Sequence, residues 1–289
     1  MTDLSDISDP VAAEGAAFSA LDVEVQDGVE LRLYHWQPEA PVSEDPIFFV
    51  AGWVSAIEGW ADLVRALVSR RPVYYLESRE KRSARITRPR LTREDFTIQR
   101  MADDIIAACD RIGLDTSSVV FAGSSMGSTS ILEALKHGRL KARGAFVIGP
   151  NARFHFPWWG KALTRVPAGT YAVAIRIVLF YLRNFRVNSR MEPQQMMRYE
   201  RTLLGAVPLR MKLSARAVYP YEIWDGLETI EVPVAVAHAP TDTLHGEDEI
   251  QRIVEAIPKG RAVPCPSNLY MHSADVARDI EELIVRIER

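Results

Sequence analysis

The chain has 289 residues, of which 47% are hydrophobic, 25% charged and 9% aromatic, with a formal net charge of −3 at pH 7. These values fit an ordinary folded chain and exclude a disordered, collagenous or disulfide-dense one, and so mild a charge gives no sign of a nucleic-acid partner. The two cysteines, Cys109 and Cys265, allow one bridge at most and have no paired-ligand spacing, so neither a disulfide framework nor a metal site is expected.

Residues 1–20 are rich in Asp, Ser and Ala and read as a flexible acidic tail with a short helix at Ala12–Ala20. Up to Glu30 there are eight acidic residues and no Lys or Arg. A secretory signal needs a basic start and a mitochondrial transit peptide needs Arg, so a cytoplasmic location is expected. Leu21–Val25 and Val29–Trp36 alternate apolar and polar side chains around Asp27-Gly28, a hairpin pattern. Ile47–Ala51 is a continuous apolar run that predicts a strand buried on both faces. Helical spacing follows over Glu58–Arg70, with Trp60, Leu63, Val64, Leu67 and Val68 on one face.

Pro72–Leu76 reads as another buried strand and Ile98–Ile112 as another amphipathic helix. Between them, residues 79–93 hold seven Lys or Arg against one acid, Glu80. Such a charge run reads by default as a solvated face. Strand, helix and strand recur at Ser118–Ala122, Ile131–His137 and Ala145–Ile148. Residues 151–228 break this rhythm, and twelve Lys or Arg face two Glu over 151–220. The rhythm resumes with a strand at Val232–Ala237, a helix at Glu247–Ile257, a short strand at Arg261–Val263 and a last helix at Ala274–Ile287. This alternation predicts an α/β fold: a mostly parallel sheet with helices on both faces and an antiparallel edge from the hairpin. The core would span 21–150 and 229–289, interrupted by an insertion at 151–228.

In such sheets ligands bind beyond the carboxyl ends of the strands. After Ser118–Ala122 comes Gly123-Ser124-Ser125-Met126-Gly127 and then a helix, which is G-x-S-x-G in a strand, turn and helix context. Small residues on either side let a sharp turn expose Ser125 as a nucleophile, with the Met126 N–H at the helix N terminus placed to hold an oxyanion. Beyond Val232–Ala237 lies Asp242, and between the last strand and last helix lies His272. The order Ser, Asp, His is that of one known arrangement of the catalytic triad. His238, His245, Asp248 and Asp275 read as strand-end or helix-start residues, and both cysteines as buried thiols.

On these residues the chain resembles the α/β-hydrolase superfamily over roughly 21–289. The resemblance implies the α/β-hydrolase fold with an inserted helical cap at 151–228. Ala51-Gly52-Trp53 corresponds to the family's His-Gly-x loop, which makes the Trp53 N–H the second oxyanion donor, while Asp242 falls in a His-Gly-x-x-Asp pattern with Ala239 in place of Gly. The implied activity is a serine carboxylester hydrolase, lipase-like in its taste for a hydrophobic acyl group and needing no cofactor and no metal. Thioesterase, acyltransferase or amidase chemistry, or a catalytically silent binding module, are the alternatives, and Ala51 and Ala239 are the substitutions that favour the silent one.

Within the insertion, Phe154, Trp158 and Trp159 are candidate substrate-binding residues. Tyr171–Leu182 is apolar but interrupted by Arg176 and too short to span a membrane; it reads as a buried cap helix, with an interfacial lipid contact as the alternative. Two basic segments at one edge of the sheet raise the expectation of an anionic substrate or peripheral contact with an anionic membrane.

Overall fold

The computed structural model describes residues 1–4, 6–154, 170, 176, 179–180, 204–240, 242 and 246–287. The Asp-Gly hairpin forms as its alternation predicts. β2 (Ala16–Gln26) pairs antiparallel with β3 (Val29–Pro38), and the reversal is made by Gly28 at a φ of +69°. The continuous apolar runs become parallel strands: β4 (Ile47–Val50), β5 (Val73–Leu76), β7 (Val120–Ser124), β8 (Gly144–Ile148), β9 (Val234–His238) and β10 (Gly260–Pro264). Two short strands, β1 (Thr2–Asp3) and β6 (Arg85–Ile86), complete a ten-stranded sheet among the described residues, in the order β1-β2-β3-β5-β4-β7-β8-β9-β10 with β6 beside β3. The jump from β3 to β5 and back to β4 marks the change from antiparallel to parallel pairing.

Helices cover both faces because each has one apolar stripe to bury. On one face lie α1 (Ala61–Val68), entered through a 3-10 turn at Ile57–Trp60, and the last helix, Val276–Ile287. The predicted stripe of Trp60, Leu63, Val64, Leu67 and Val68 is buried there against Phe49 and Tyr75. On the other face α2 (Ile98–Arg111), α3 (Met126–Leu135) and the helix Glu247–Ala256 pack on Phe48, Phe121 and Val147. The helix Pro208–Val218 starts with proline in its first turn, where the missing N–H has no partner to lose.

The first twenty residues differ from their expectation. Ala16–Ala20 is strand, not helix, pairing with Tyr34–Pro38, and Ala12 and Gly15 both have positive φ, which no right-handed helix can contain. The gain from extending the hairpin overrides the helix propensity of alanine. Nor is the start a loose tail: Thr2–Asp3 adds to β2, and Val11 is buried beside α1, where its carbonyl accepts from Arg65.

A buried ion pair anchors the segment after β5. The Arg79 guanidinium, 1% exposed, forms two bonds to Asp104 on α2, at 2.5 Å from Nε and 2.6 Å from Nη2. Burial pushes the Asp104 carboxyl up while Arg79 pulls it down. Removing one member of such a pair strands the other charge, so Asp104→Ala should lose about 3–5 kcal/mol of unfolding free energy in urea titrations. A loss under about 1 kcal/mol would show that water reaches the guanidinium.

Candidate active site

β7 ends at Ser124 and α3 begins at Met126, so Ser125 makes the whole turn between them. Its φ of +48° and ψ of −118° are strained for a residue with a side chain. The surroundings hold it there. Its N–H donates to the Ile148 carbonyl at 2.8 Å, and its own carbonyl accepts from the Thr129 N–H at 3.0 Å and the Thr129 hydroxyl at 3.1 Å. The glycines of the motif are demanded by contact: a Cβ on Gly127 would lie 2.1 Å from the Val50 carbonyl oxygen, and one on Gly123 2.8 Å from that same atom. The N terminus of α3, whose first N–H groups lack intrahelical acceptors, opens at Met126 directly beside the serine.

The loop after β4 closes on this turn. β4 and β7 are parallel neighbours with Val50 opposite Gly123, so residues 51–55 emerge alongside the serine. A Cβ on Gly52 would touch Ser124 Oγ at 3.2 Å and Ser125 Cβ at 3.3 Å. The Gly52–Trp53 peptide therefore lies against the candidate nucleophile. The Trp53 indole N–H donates to Ser214 Oγ at 3.0 Å, and its ring packs with Val54, Ala206 and Met211, next to and on the helix Pro208–Val218. If the Trp53 N–H is an oxyanion donor, a Trp53→Phe variant, which keeps it, should stay within about tenfold of parent turnover, whereas Trp53→Pro, which removes it, should cost roughly 10² to 10³. Equal mild losses in two folded variants would remove Trp53 from the donor set.

Asp242 and His272 emerge at the same edge of the sheet. Asp242 follows β9, its N–H bonded to the Ala239 carbonyl at 3.0 Å. His272 closes the short helix Asn268–Met271 that follows β10, and its imidazole lies on Trp60, with ring centroids 4.2 Å apart. Trp60 in turn donates to Ser55 Oγ at 2.9 Å, which ties the His272 ring to the loop that flanks Ser125. His238 is the strand-end residue that its position implied, and Asp248 lies in the first turn of its helix. Cys109 and Cys265 are buried, their thiols pushed up to about 12 and about 11 by desolvation, which makes both poor nucleophiles. Among the described residues no cluster of His, Cys, Asp and Glu could hold a metal ion, and no helix is long and apolar enough to cross a membrane.

Phe154 is half-buried, with its ring 6.3 Å from that of Tyr221. Trp158, Trp159, the Tyr171–Leu182 stretch apart from isolated positions, and His245 lie outside the described residues.

Three site neighbours escaped the sequence. Asn151, just past β8, donates from Nδ2 to Ser125 Oγ at 3.1 Å and is itself fixed by its N–H bond to Thr129 Oγ1 at 2.9 Å. Its place beyond a strand end was the available signal. Glu80 and Lys81, 0% and 5% exposed, reach the 51–55 loop from within the run that reads as a solvated face. The run's outer cations are also largely matched: Arg85 with Glu30, Arg88 with Asp95 and Arg93 with Glu94.

No protein-family model matches the chain. A curated relative is RutD of Caulobacter sp. (strain K31), assigned as a carbamate hydrolase, 27% identical over 243 residues that cover 81% of this chain and 87% of RutD. Among solved structures, a thermophilic esterase from Thermogutta terrifontis is 19% identical with a TM-score of 0.71, covering 95% of this chain and all of its own. The enol-lactonase of Burkholderia xenovorans LB400 is 17% identical, also at a TM-score of 0.71, over 91% of this chain and 98% of its own. The chain has the α/β-hydrolase fold.

Proposed function

We propose that the chain is a serine hydrolase that cleaves a carboxylic ester with a hydrophobic acyl group through an acyl-enzyme on Ser125. The observation that carries this reading is the strained turn at Ser125, fixed by its bonds to Ile148 and Thr129, which lifts a hydroxyl to the carboxyl edge of the sheet. In this reading His272 takes the proton from Ser125 Oγ as it attacks the carbonyl and returns it to the leaving alkoxide. Asp242 holds the imidazole in the required tautomer and stabilises the imidazolium. The N–H groups of Trp53 and Met126 receive the oxyanion. Water then repeats the sequence on the acyl-enzyme. Asn151, bonded to the serine hydroxyl, aims that oxygen before attack.

An apolar substrate fits the half-buried Trp53 in the loop beside the turn. Likeness to RutD over most of the chain supports testing carbamates beside esters. The experiment is labelling with a fluorophosphonate probe, followed by turnover of p-nitrophenyl esters of increasing chain length and of a p-nitrophenyl carbamate. Labelling at Ser125 with faster turnover of longer acyl chains is the expected result. No labelling of folded protein would favour the silent binding module, and faster carbamate cleavage would move the substrate class.

A further inference from the structure

Residues 52–55 form a tight turn, closed by the Ser55 N–H donating to the Gly52 carbonyl at 3.0 Å. Its third residue, Val54, has a φ of +50°. A turn with positive φ at that place normally takes glycine or asparagine, and a β-branched residue there is under strain. In a trans peptide the N–H points away from the C=O. Tying the Gly52 carbonyl into the turn therefore sends the Trp53 N–H outward, and the close approach of Gly52 to Ser125 puts that peptide at the serine.

Two buried charges grip the rest of this turn. Glu80 Oε1 accepts from the Val54 N–H at 2.9 Å and from the Ser78 hydroxyl at 2.7 Å. Lys81 Nζ donates to the Val54 carbonyl at 2.8 Å and to the Ser55 carbonyl. Three successive peptide units downstream of the Trp53 N–H are thereby held by side chains from one dipeptide. That dipeptide is itself clamped: Val207 N–H donates to the Glu80 carbonyl at 2.9 Å, Lys81 bridges Ala206, and Arg210 donates to the Lys81 carbonyl at 2.9 Å. Burial pulls the Lys81 ammonium down from its usual range while Glu77, Glu80 and Glu58 push it back up.

The arrangement is expensive as a stabiliser of the fold. Glu80 Oε2 is buried with no hydrogen-bond partner among the described residues, and an orphaned carboxylate oxygen in the interior is costly. A turn with glycine in place of Val54 would need no such support. We propose that Glu80 and Lys81 are positioning residues, which hold the strained 52–55 turn so that the Trp53 N–H stays aimed at the oxyanion. The proposal rests on the serine-hydrolase reading above and extends it to a buried brace.

The test compares Glu80→Ala, which removes the acceptor, Glu80→Gln, which keeps a neutral one, and Lys81→Met. Turnover is referred to active sites counted by fluorophosphonate burst, so partial misfolding does not enter kcat. The expected result is a fall in kcat per site of about 10- to 100-fold for Glu80→Ala and Lys81→Met, short of complete loss of a donor, with KM within about threefold. Glu80→Gln should recover most of the loss. Adding Val54→Gly to Glu80→Ala should restore at least about fivefold, because glycine adopts the turn without a brace. If Glu80→Ala does not fold, Lys81→Met with and without Val54→Gly carries the same comparison. Parent-like kcat per site in the braceless variants would overturn the positioning role while leaving the hydrolase reading intact. A parent protein that neither labels at Ser125 nor turns over esters would overturn both.

Discussion

Ser125→Ala is expected to abolish fluorophosphonate labelling and ester turnover while the protein still folds. Among the described residues no other side chain combines a nucleophilic atom with this turn: Ser124 is buried at the end of β7, and the two thiols are buried and shifted upward. His272→Ala should come close to the same loss, and Asp242→Asn should lower the rate by a factor on the order of 10⁴ if it sets the imidazole tautomer. The turn adds a stability signature of its backbone strain, separate from the loss of activity. Alanine keeps a Cβ in the strained conformation, whereas glycine relieves about 1–3 kcal/mol of strain at a cost of about 1 kcal/mol in unfolded-chain entropy. Ser125→Gly should therefore be inactive yet about 1 kcal/mol more stable than Ser125→Ala by urea titration. Retained labelling in Ser125→Ala would place the nucleophile elsewhere, and equal stability of the two variants would mean the turn is relaxed.

Hydrophobic period made most of the sheet legible. The runs at Ile47, Val120 and Ala145 contain little except apolar residues because both of their faces are covered, and their boundaries fall within a few residues of those expected. Ser125 was legible because the steric demands of its turn are written into adjacent residues as glycines. The failures share a different cause. Ala16–Ala20 has helix-forming residues but pairs with a strand some eighteen residues away, a contact that local propensity does not encode. Glu80 and Lys81 look like part of a solvated basic run, since only the folded chain brings the 51–55 loop and the 204–207 segment around them. Asn151 likewise becomes a neighbour of Ser125 only when β7 and β8 pair in register.

Gly127→Ala should be among the most damaging single-methyl additions in this chain, while Gly52→Ala should injure the site and spare the fold. The difference lies in what each new Cβ meets. At Gly127 it would be 2.1 Å from the Val50 oxygen, 2.5 Å from the Ala51 oxygen and 2.7 Å from the Val50 carbonyl carbon. All three are backbone atoms of the central strand and its exit, so no rotamer change relieves the overlap and α3 must move away from β4. Such overpacking belongs to the extreme tail of single substitutions, at about 4 kcal/mol or more, and much of the protein should be recovered unfolded. Gly123 is intermediate, because one of its close neighbours is the flexible end of Ile131, at 2.7 Å, although the Val50 oxygen lies at 2.8 Å. At Gly52 the contacts are 3.2 to 3.4 Å, distances that a shift of a few tenths of an ångström accommodates. That shift, however, falls on Ser124 and Ser125, so Gly52→Ala should melt close to the parent while its turnover falls by about tenfold or more, since a small displacement of a donor or nucleophile costs rate steeply. Thermal melts beside burst-titrated turnover measure both quantities on the same samples. A Gly127→Ala protein that melts with the parent would mean that α3 does not press on β4 as described, and Gly52→Ala with parent turnover would detach the 52–55 turn from the chemistry at Ser125.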